Sequence, residues 1–386
     1  MENNYWIADK WLIFKPEFNE ELTNYYDAIN KYKKIIFSNY DNLSTAIETN
    51  NEYKDEYKKN YIKSNFNKKI DVLNNINLTH LIFGYYFNQE IDLSNNINLT
   101  HLTLGCKFNQ EIDLLNNINL THLTFGWCFN QKIDLLNNIN LPHLTFEYSF
   151  NQEIDLLNNI NLTHLTFGWC FNQKIDLSNN INLTHLTFES DFNKKIDLSN
   201  NINLEYLTFG WCFNQKIDLS NNINLTHLTF EHSFNQKIDL LNNINLTHLT
   251  FGWCFNQKID LSNNINLTHL TFKHSFNQEI NIPLNVKSLN MYDCNNQHII
   301  DNLHNNIKEL IICKTNLNLD NLPNSIKKIN IKKYKKELNN LPNSIEYLEL
   351  KYYKLKIKKI PKKLKTIKCD ENYEYIDDFK DYEVIY

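Results

Sequence analysis

Phenylalanine followed by asparagine stands at Phe66, Phe87, Phe108, Phe129, Phe150, Phe171, Phe192, Phe213, Phe234, Phe255 and Phe276, an unbroken spacing of 21 residues. A fixed period of this size marks a solenoid, in which each repeat is one coil that hides its apolar side only by stacking on its neighbours. The chain of 386 residues would fill two or three globular domains, but the array instead predicts one elongated body with a continuous core.

Within each coil the apolar residues keep fixed places. Counting from the first leucine of Leu-Thr-His-Leu-Thr-Phe, Leu99 is position 1, Leu102 position 4, Leu104 position 6, Phe108 position 10, Ile112 position 14, Leu114 position 16 and Ile118 position 20. All seven are expected to face the core. Positions 4 and 6 alternate with polar positions 3 and 5, the period-two pattern of a short strand with one buried face. The predicted fold is therefore a repeat solenoid with a parallel sheet on one face and short turns or helical turns on the other.

The six glycines, Gly84, Gly105, Gly126, Gly168, Gly210 and Gly252, all fall at position 7. Glu147, Glu189, Glu231 and Lys273 also occupy that place, so it does not demand a left-handed backbone. Gly-Trp-Cys returns every 42 residues, as duplication of a two-coil block would produce.

Four segments are expected. Residues 1–65 read as a degenerate N-terminal coil or cap, with Phe18-Asn19 and Tyr32-x-x-Ile35-x-Phe37 echoing the repeat. Within them Ser44 to Ser64 reads as a helical insertion, with Tyr53, Tyr57 and Tyr61 on one stripe. Residues 66–280 are the 21-residue array, and residues 281–369 are shorter coils built on Leu-Pro-Asn-Ser-Ile. Residues 370–386 are an acidic tail or C-terminal cap.

Charge argues against most polyanionic partners. Arginine is absent and the net charge is -5, so the chain has neither a bidentate phosphate fork nor an overall field that would draw nucleic acid. The exception is His304 to Cys369, with 17 lysines against 5 acidic residues, which keeps lysine-mediated nucleic-acid binding by residues 304–369 as an alternative. The N-terminal residues show no basic stretch followed by an apolar one, and no run approaches the roughly 18 apolar residues of a membrane span. The expectation is an intracellular monomer that does not engage a membrane. Cys128, Cys170, Cys212 and Cys254 recur two coils apart, about 10 Å at a strand spacing of about 4.8 Å, which is beyond disulfide reach. They are expected to be partly buried thiols.

The exposed columns are where a function would lie. Position 3 carries His101, His122, His164, His185, His227 and His248, with His80, His143 and His269 in the same column. Position 5 carries threonines such as Thr103 and Thr124, and position 8 carries Trp127, Trp169, Trp211 and Trp253 at the sheet rim. Histidine, threonine and tryptophan in these columns form the candidate partner-binding surface. The histidine column also raises a response to pH, since stacked imidazolium ions repel. Asp at position 15, such as Asp113, is expected to cap the following turn, and Asn at position 11, such as Asn109, to bond successive coils. A catalytic site needs different residues converging, and this array repeats the same ones. No enzyme activity, cofactor or metal site is expected.

The pattern Leu-x-x-Leu-x-Leu/Phe, with a small residue such as Cys128 at position 9, resembles a leucine-rich repeat. Lys107, Ser149 and Asp191 depart from it, and phenylalanine stands at position 10 where a leucine would follow at 11. Phe-Asn-Gln-x-Ile followed by a Leu-x-x-Leu-x-Phe strand resembles more closely the FNIP repeat, from Phe66 to Ile280. That resemblance, to a family familiar from social amoebae and giant DNA viruses of amoebae, implies a protein-interaction scaffold, in the host cytoplasm if viral. Some viral members carry an F-box and would serve as substrate adaptors of ubiquitin ligases. Residues 1–65 show no F-box pattern, so the adaptor role stands as an alternative without a recognisable docking segment.

Overall fold

The computed structural model describes residues 4–48, 62–70, 74–313 and 316–386, and the chain divides into two compact units, Met1–Asn203 and Leu204–Tyr386. Each is a parallel β-solenoid. In the N-terminal unit the strands His80–Ile82, His101–Leu104, His122–Phe125, His143–Phe146, His164–Phe167 and His185–Phe188 pair in register, each histidine beside the next. In the C-terminal unit the strands Tyr206–Phe209, His227–Phe230, His248–Phe251 and His269–Phe272 do the same. The parallel pairing there continues through Ser288–Tyr292, Glu309–Cys313, Lys328–Lys332, Tyr347–Lys351, Thr366–Cys369 and Glu383–Ile385.

The alternation within each strand sets its two faces. Leu102 and Leu104 are buried while His101 and Thr103 point outward, and every later coil of the array repeats this. Behind the sheet the position 6 and position 10 phenylalanines stack within a coil, as in Phe146 on Phe150 at 3.8 Å. They also stack between coils, as in Phe129 on Phe150 at 6.0 Å. Leu114 and Leu120 close the core from the turn side.

One of the seven expected core positions faces solvent. Ile118 is 49 % exposed, and Ile97, Ile139, Ile160 and their counterparts are alike. The inward place belongs instead to the preceding asparagine, Asn117, which is fully buried. Its Nδ2 donates to Asn96 O at 3.0 Å and to Leu93 O at 3.1 Å, both in the coil before. Two tight turns, Leu114 to Asn117 and Asn117 to Leu120, leave carbonyls pointing into the core that an isoleucine could not satisfy. The same amide recurs in Asn138, Asn159, Asn180, Asn243 and Asn264.

A second ladder runs beside the phenylalanines, where Asn130 N–H donates to Asn109 Oδ1 at 2.8 Å and Asn151 N–H to Asn130 Oδ1 at 2.9 Å. This is the inter-coil bonding expected of position 11. The turn cap expected of position 15 is also present, since Asp113 Oδ1 accepts Leu115 N–H at 2.9 Å. Hydrogen bonds from Ser178 hold the Asp176 carboxyl below its usual range despite the neighbouring Asp197.

Close approach of successive coils explains glycine at position 7. No glycine has a positive φ, but a Cβ on Gly168 would lie 1.7 Å from Glu147 O and one on Gly252 1.3 Å from Glu231 O. The residue after a glutamate coil must therefore lack a side chain.

Residues before the array contribute more sheet than one degenerate coil. Lys34–Phe37 pairs with His80–Ile82, and Trp11–Phe14 adds a further parallel strand. Tyr5–Ala8 then folds back antiparallel on Trp11–Phe14 and occupies that sheet edge, which would otherwise present unpaired backbone groups. Phe18 stacks on Phe66 at 5.6 Å and Asn19 Oδ1 accepts Asn67 N–H at 3.0 Å, so this Phe-Asn pair takes the repeat roles. A helix spans Leu43–Glu48, whereas the stripe of Tyr53, Tyr57 and Tyr61 lies outside the described residues. At the other terminus Glu383–Ile385 adds a last strand, and Lys356 pairs with Asp378 at 3.1 Å.

Candidate functional site

The outer sheet face is built from positions 3 and 5, which the strand alternation turns away from the core, with positions 2, 7 and 8 flanking them at the strand ends. In the N-terminal unit the imidazoles of His80, His101, His122, His143, His164 and His185 form a stack with centroids 4.0–4.4 Å apart. In the C-terminal unit Tyr206, His227, His248 and His269 stack at 4.1–4.3 Å. Thr103 and Thr124 lie on the same face, half-buried between neighbours.

Except at His143, which follows Pro142, and Tyr206, which follows Glu205, each ring lies against the threonine before it. Thr100 Oγ1 lies 2.9 Å from His101 Nδ1 and 2.9 Å from Thr79 O in the preceding coil. Burial, with His101 and Lys34 adding to it, lowers the His80 pKa to about 3. Burial first and neighbouring charges second also depress His101, His122, His143, His164 and His248. Parallel stacked rings aim their lone pairs side by side rather than at one point. Among the described residues no group of three or more His, Cys, Asp or Glu is placed to hold a metal ion.

The tryptophan column is part of a denser ladder. Tyr148 fills the coil between Trp127 and Trp169, with centroids at 5.1 and 5.5 Å. In the C-terminal unit His232 stands between Trp211 and Trp253 at 5.4 and 5.7 Å, and His274 follows Trp253 at 5.6 Å. Trp127 is 48 % exposed and Trp169 46 %. A search for tryptophan alone, every 42 residues, passes over Tyr148, His232 and His274. Aromatic character every 21 residues finds them.

Three of the four repeat thiols are partly buried as expected, and one is not. Cys128, Cys170 and Cys254 are half-buried and Cys212 is exposed, so position 9 is not a core place. Cys106, at position 8 of its coil, is buried, and that burial pushes its thiol up to about 11. Beyond the array the lysines of the basic segment meet acidic residues on adjacent coils. Lys328 lies 2.6 Å from Glu309, Lys327 3.4 Å from Glu346 and Lys358 2.6 Å from Glu337.

Comparison with known proteins places this architecture. The FNIP Repeat family matches at residues 315–353, on the shorter coils rather than on residues 66–280, where the Phe-Asn motif pointed to the same family. The giant-virus protein CroV588, described as a novel circular leucine-rich-repeat structure, is 31% identical, with 95% of this chain and 67% of that one covered at a TM-score of 0.57. The chain belongs to the FNIP-type leucine-rich-repeat proteins. Two Listeria monocytogenes proteins share the leucine-rich-repeat fold at lower identity. The functional domain of InlJ is 18% identical over 79% of this chain and 62% of its own, with a TM-score of 0.50. The internalin InlF is 21% identical over 68% and 82%, with a TM-score of 0.53. No curated protein matches the sequence. The leucine-rich-repeat fold generally mediates protein–protein interaction, and among the described residues no helix is long and apolar enough to cross a membrane.

Proposed function

We propose that this FNIP-type protein is a non-enzymatic scaffold that binds a protein partner on the outer face of its sheet. The observation that carries the reading is the exposed aromatic ladder Trp127–Tyr148–Trp169 beside the histidine column. Aromatic side chains on a rigid sheet anchor partners at little entropic cost, because stacking has already fixed their rotamers. Half-exposed tryptophans contribute little to the core, so their recurrence finds its use at an interface.

The test is capture of partners from host cells by the full chain, set against Trp127→Ala/Trp169→Ala. Selective loss of a partner from the variant, with an unchanged melting temperature, supports the reading. Equal capture by both proteins removes this face from consideration. The same capture identifies a ubiquitin-ligase scaffold if the chain serves as an adaptor.

A further inference from the structure

Six isoleucines form an apolar ridge along the N-terminal unit. Ile76, Ile97, Ile118, Ile139, Ile160 and Ile181 hold position 20 of successive coils and are 47–58 % exposed. Ile118 precedes the strand His122–Phe125 and Trp127 follows it, so the ridge and the tryptophan ladder border opposite ends of the sheet. Leu136, at position 17, widens the ridge and is 50 % exposed.

The solenoid does not require this apolarity. In the C-terminal unit the same place is apolar through Ile265 and Leu284 and then becomes Asn305, Asn324 and Lys362. Ile307, Ile326 and Leu364 stay buried two residues later, so the turn forms equally well on a polar residue. The ridge is also prepared for cover. Each isoleucine carbonyl accepts an asparagine amide of the next coil, as in Asn119 Nδ2 to Ile97 O at 2.9 Å and Asn182 Nδ2 to Ile160 O at 3.0 Å. Removing water therefore strands no acceptor there. Positions 16 to 21 carry no charged residue in any of these coils, so like charge does not oppose the meeting of two such ridges.

Spacing identifies the occupant. The coils rise about 4.8 Å, so the six side chains recur at that interval over about 24 Å. Successive turns of an α-helix rise about 5.4 Å and fall about 3 Å out of step over the same length. An extended segment presents one face only every ~6.8 Å. Another stack of β coils keeps step, and a second copy of this ridge matches it in length and apolarity as well. At roughly 90 Å² for a half-exposed isoleucine, the six together with Leu115, Leu136 and Leu157 offer roughly 700 Å², near the ~800 Å² that each partner buries in a stable interface.

We infer that two copies of this chain pair through their isoleucine ridges about a two-fold axis, leaving the sheet face and its tryptophans free. The dimer replaces the monomer expected from the sequence and does not depend on the docking reading above.

The test is sedimentation velocity of the full chain from about 0.5 to 100 µM, where a concentration-dependent dimer is expected. Ile118→Asn/Ile160→Asn, which installs the residue type found at Asn305 and Asn324, should raise the dissociation constant by roughly 100-fold or more with the far-UV circular dichroism unchanged. A benzophenone side chain in place of Leu136 should photo-crosslink the unsubstituted ridge to the ridge of a second copy, and this result decides alone if the double variant does not fold. A monomer throughout the range, a dimer that the folded variant leaves intact, or crosslinks away from position 20 would overturn the inference. Loss of the dimer in Trp127→Ala/Trp169→Ala, with the isoleucine variant still dimeric, also overturns it and moves self-association to the docking face. If the chain is monomeric and the isoleucine variant loses a protein captured from host cells, the ridge has a different occupant and the second copy is wrong. If the ridge-dependent dimer forms and no partner is captured, only the docking reading falls.

Discussion

Lys273 Nζ lies 3.2 Å from Glu231 Oε2, although the two residues belong to coils that are not neighbours. Gly252 occupies the coil between them, and its lack of a side chain leaves the path open. Glycine here also permits the close approach to Glu231 O. Gly252→Ala should destabilise the C-terminal unit by about 2–3 kcal/mol, because the clash is with backbone that cannot rotate away. Urea denaturation measures this, and an unchanged midpoint would show that the coils separate without cost.

The buried amide ladder predicts a different penalty. Asn159 Nδ2 donates to Leu135 O at 3.0 Å and to Asn138 O at 2.9 Å. Removing it in Asn159→Ala takes a buried donor from both carbonyls, although Leu135 O keeps its turn bond from Asn138 N–H, and should cost about 2 kcal/mol. Asn161→Ala, two residues on and exposed, should cost well under half as much in the same assay.

Stability should fall with acid earlier than carboxylates alone would cause. The folded-state pKa values of His101, His122, His143, His164 and His248 lie below 6.5, and His80 is at about 3. Between those values and 6.5 the unfolded chain binds more protons than the folded one, so unfolding free energy rises with pH across the window. The stabilisation is complete above about 6.5 and is lost progressively below it, for His80 down to about 3. Thermal melts between about pH 7.5 and 5 should show the decline before carboxylates titrate, and His122→Asn/His164→Asn should flatten it. A flat profile in the unsubstituted chain would show that the column carries no linkage.

Thiol labelling separates the cysteines by burial. Cys212 is exposed, whereas burial raises Cys106 and Cys294 to about 11. Iodoacetamide on the native protein should modify Cys212 first and leave Cys106 and Cys294 intact, while all eight react in denaturant. Peptide mass mapping reads the order.

Much of the coil was legible because its core positions obey a local rule. Leu99, Leu102, Leu104, Phe108 and Leu114 recur at strand and turn spacing, and all are buried. Ile118 recurs as strictly and yet faces solvent, since periodic apolar residues mark a stripe without saying which side it lies on. Asn117 was hidden for the opposite reason. It stands in a polar run that reads as loop, and the carbonyls that call it inward belong to the coil 21 residues earlier. The candidate columns of histidine, threonine and tryptophan were visible as exposed repeats. The contacts that tie Thr121 to Thr100 O and to the His122 ring required distances between coils, which no spacing reveals.

The alternation of Gly168 after Glu147 and Gly252 after Glu231 also bears on how such a gene can change length. Copying a single glutamate coil would set a Cβ within 1.3–1.7 Å of the preceding carbonyl, whereas copying the pair reproduces contacts that already exist. Growth and shrinkage by slippage should therefore be tolerated in steps of 42 residues, so that copy number within this tract can drift while every coil keeps its neighbour.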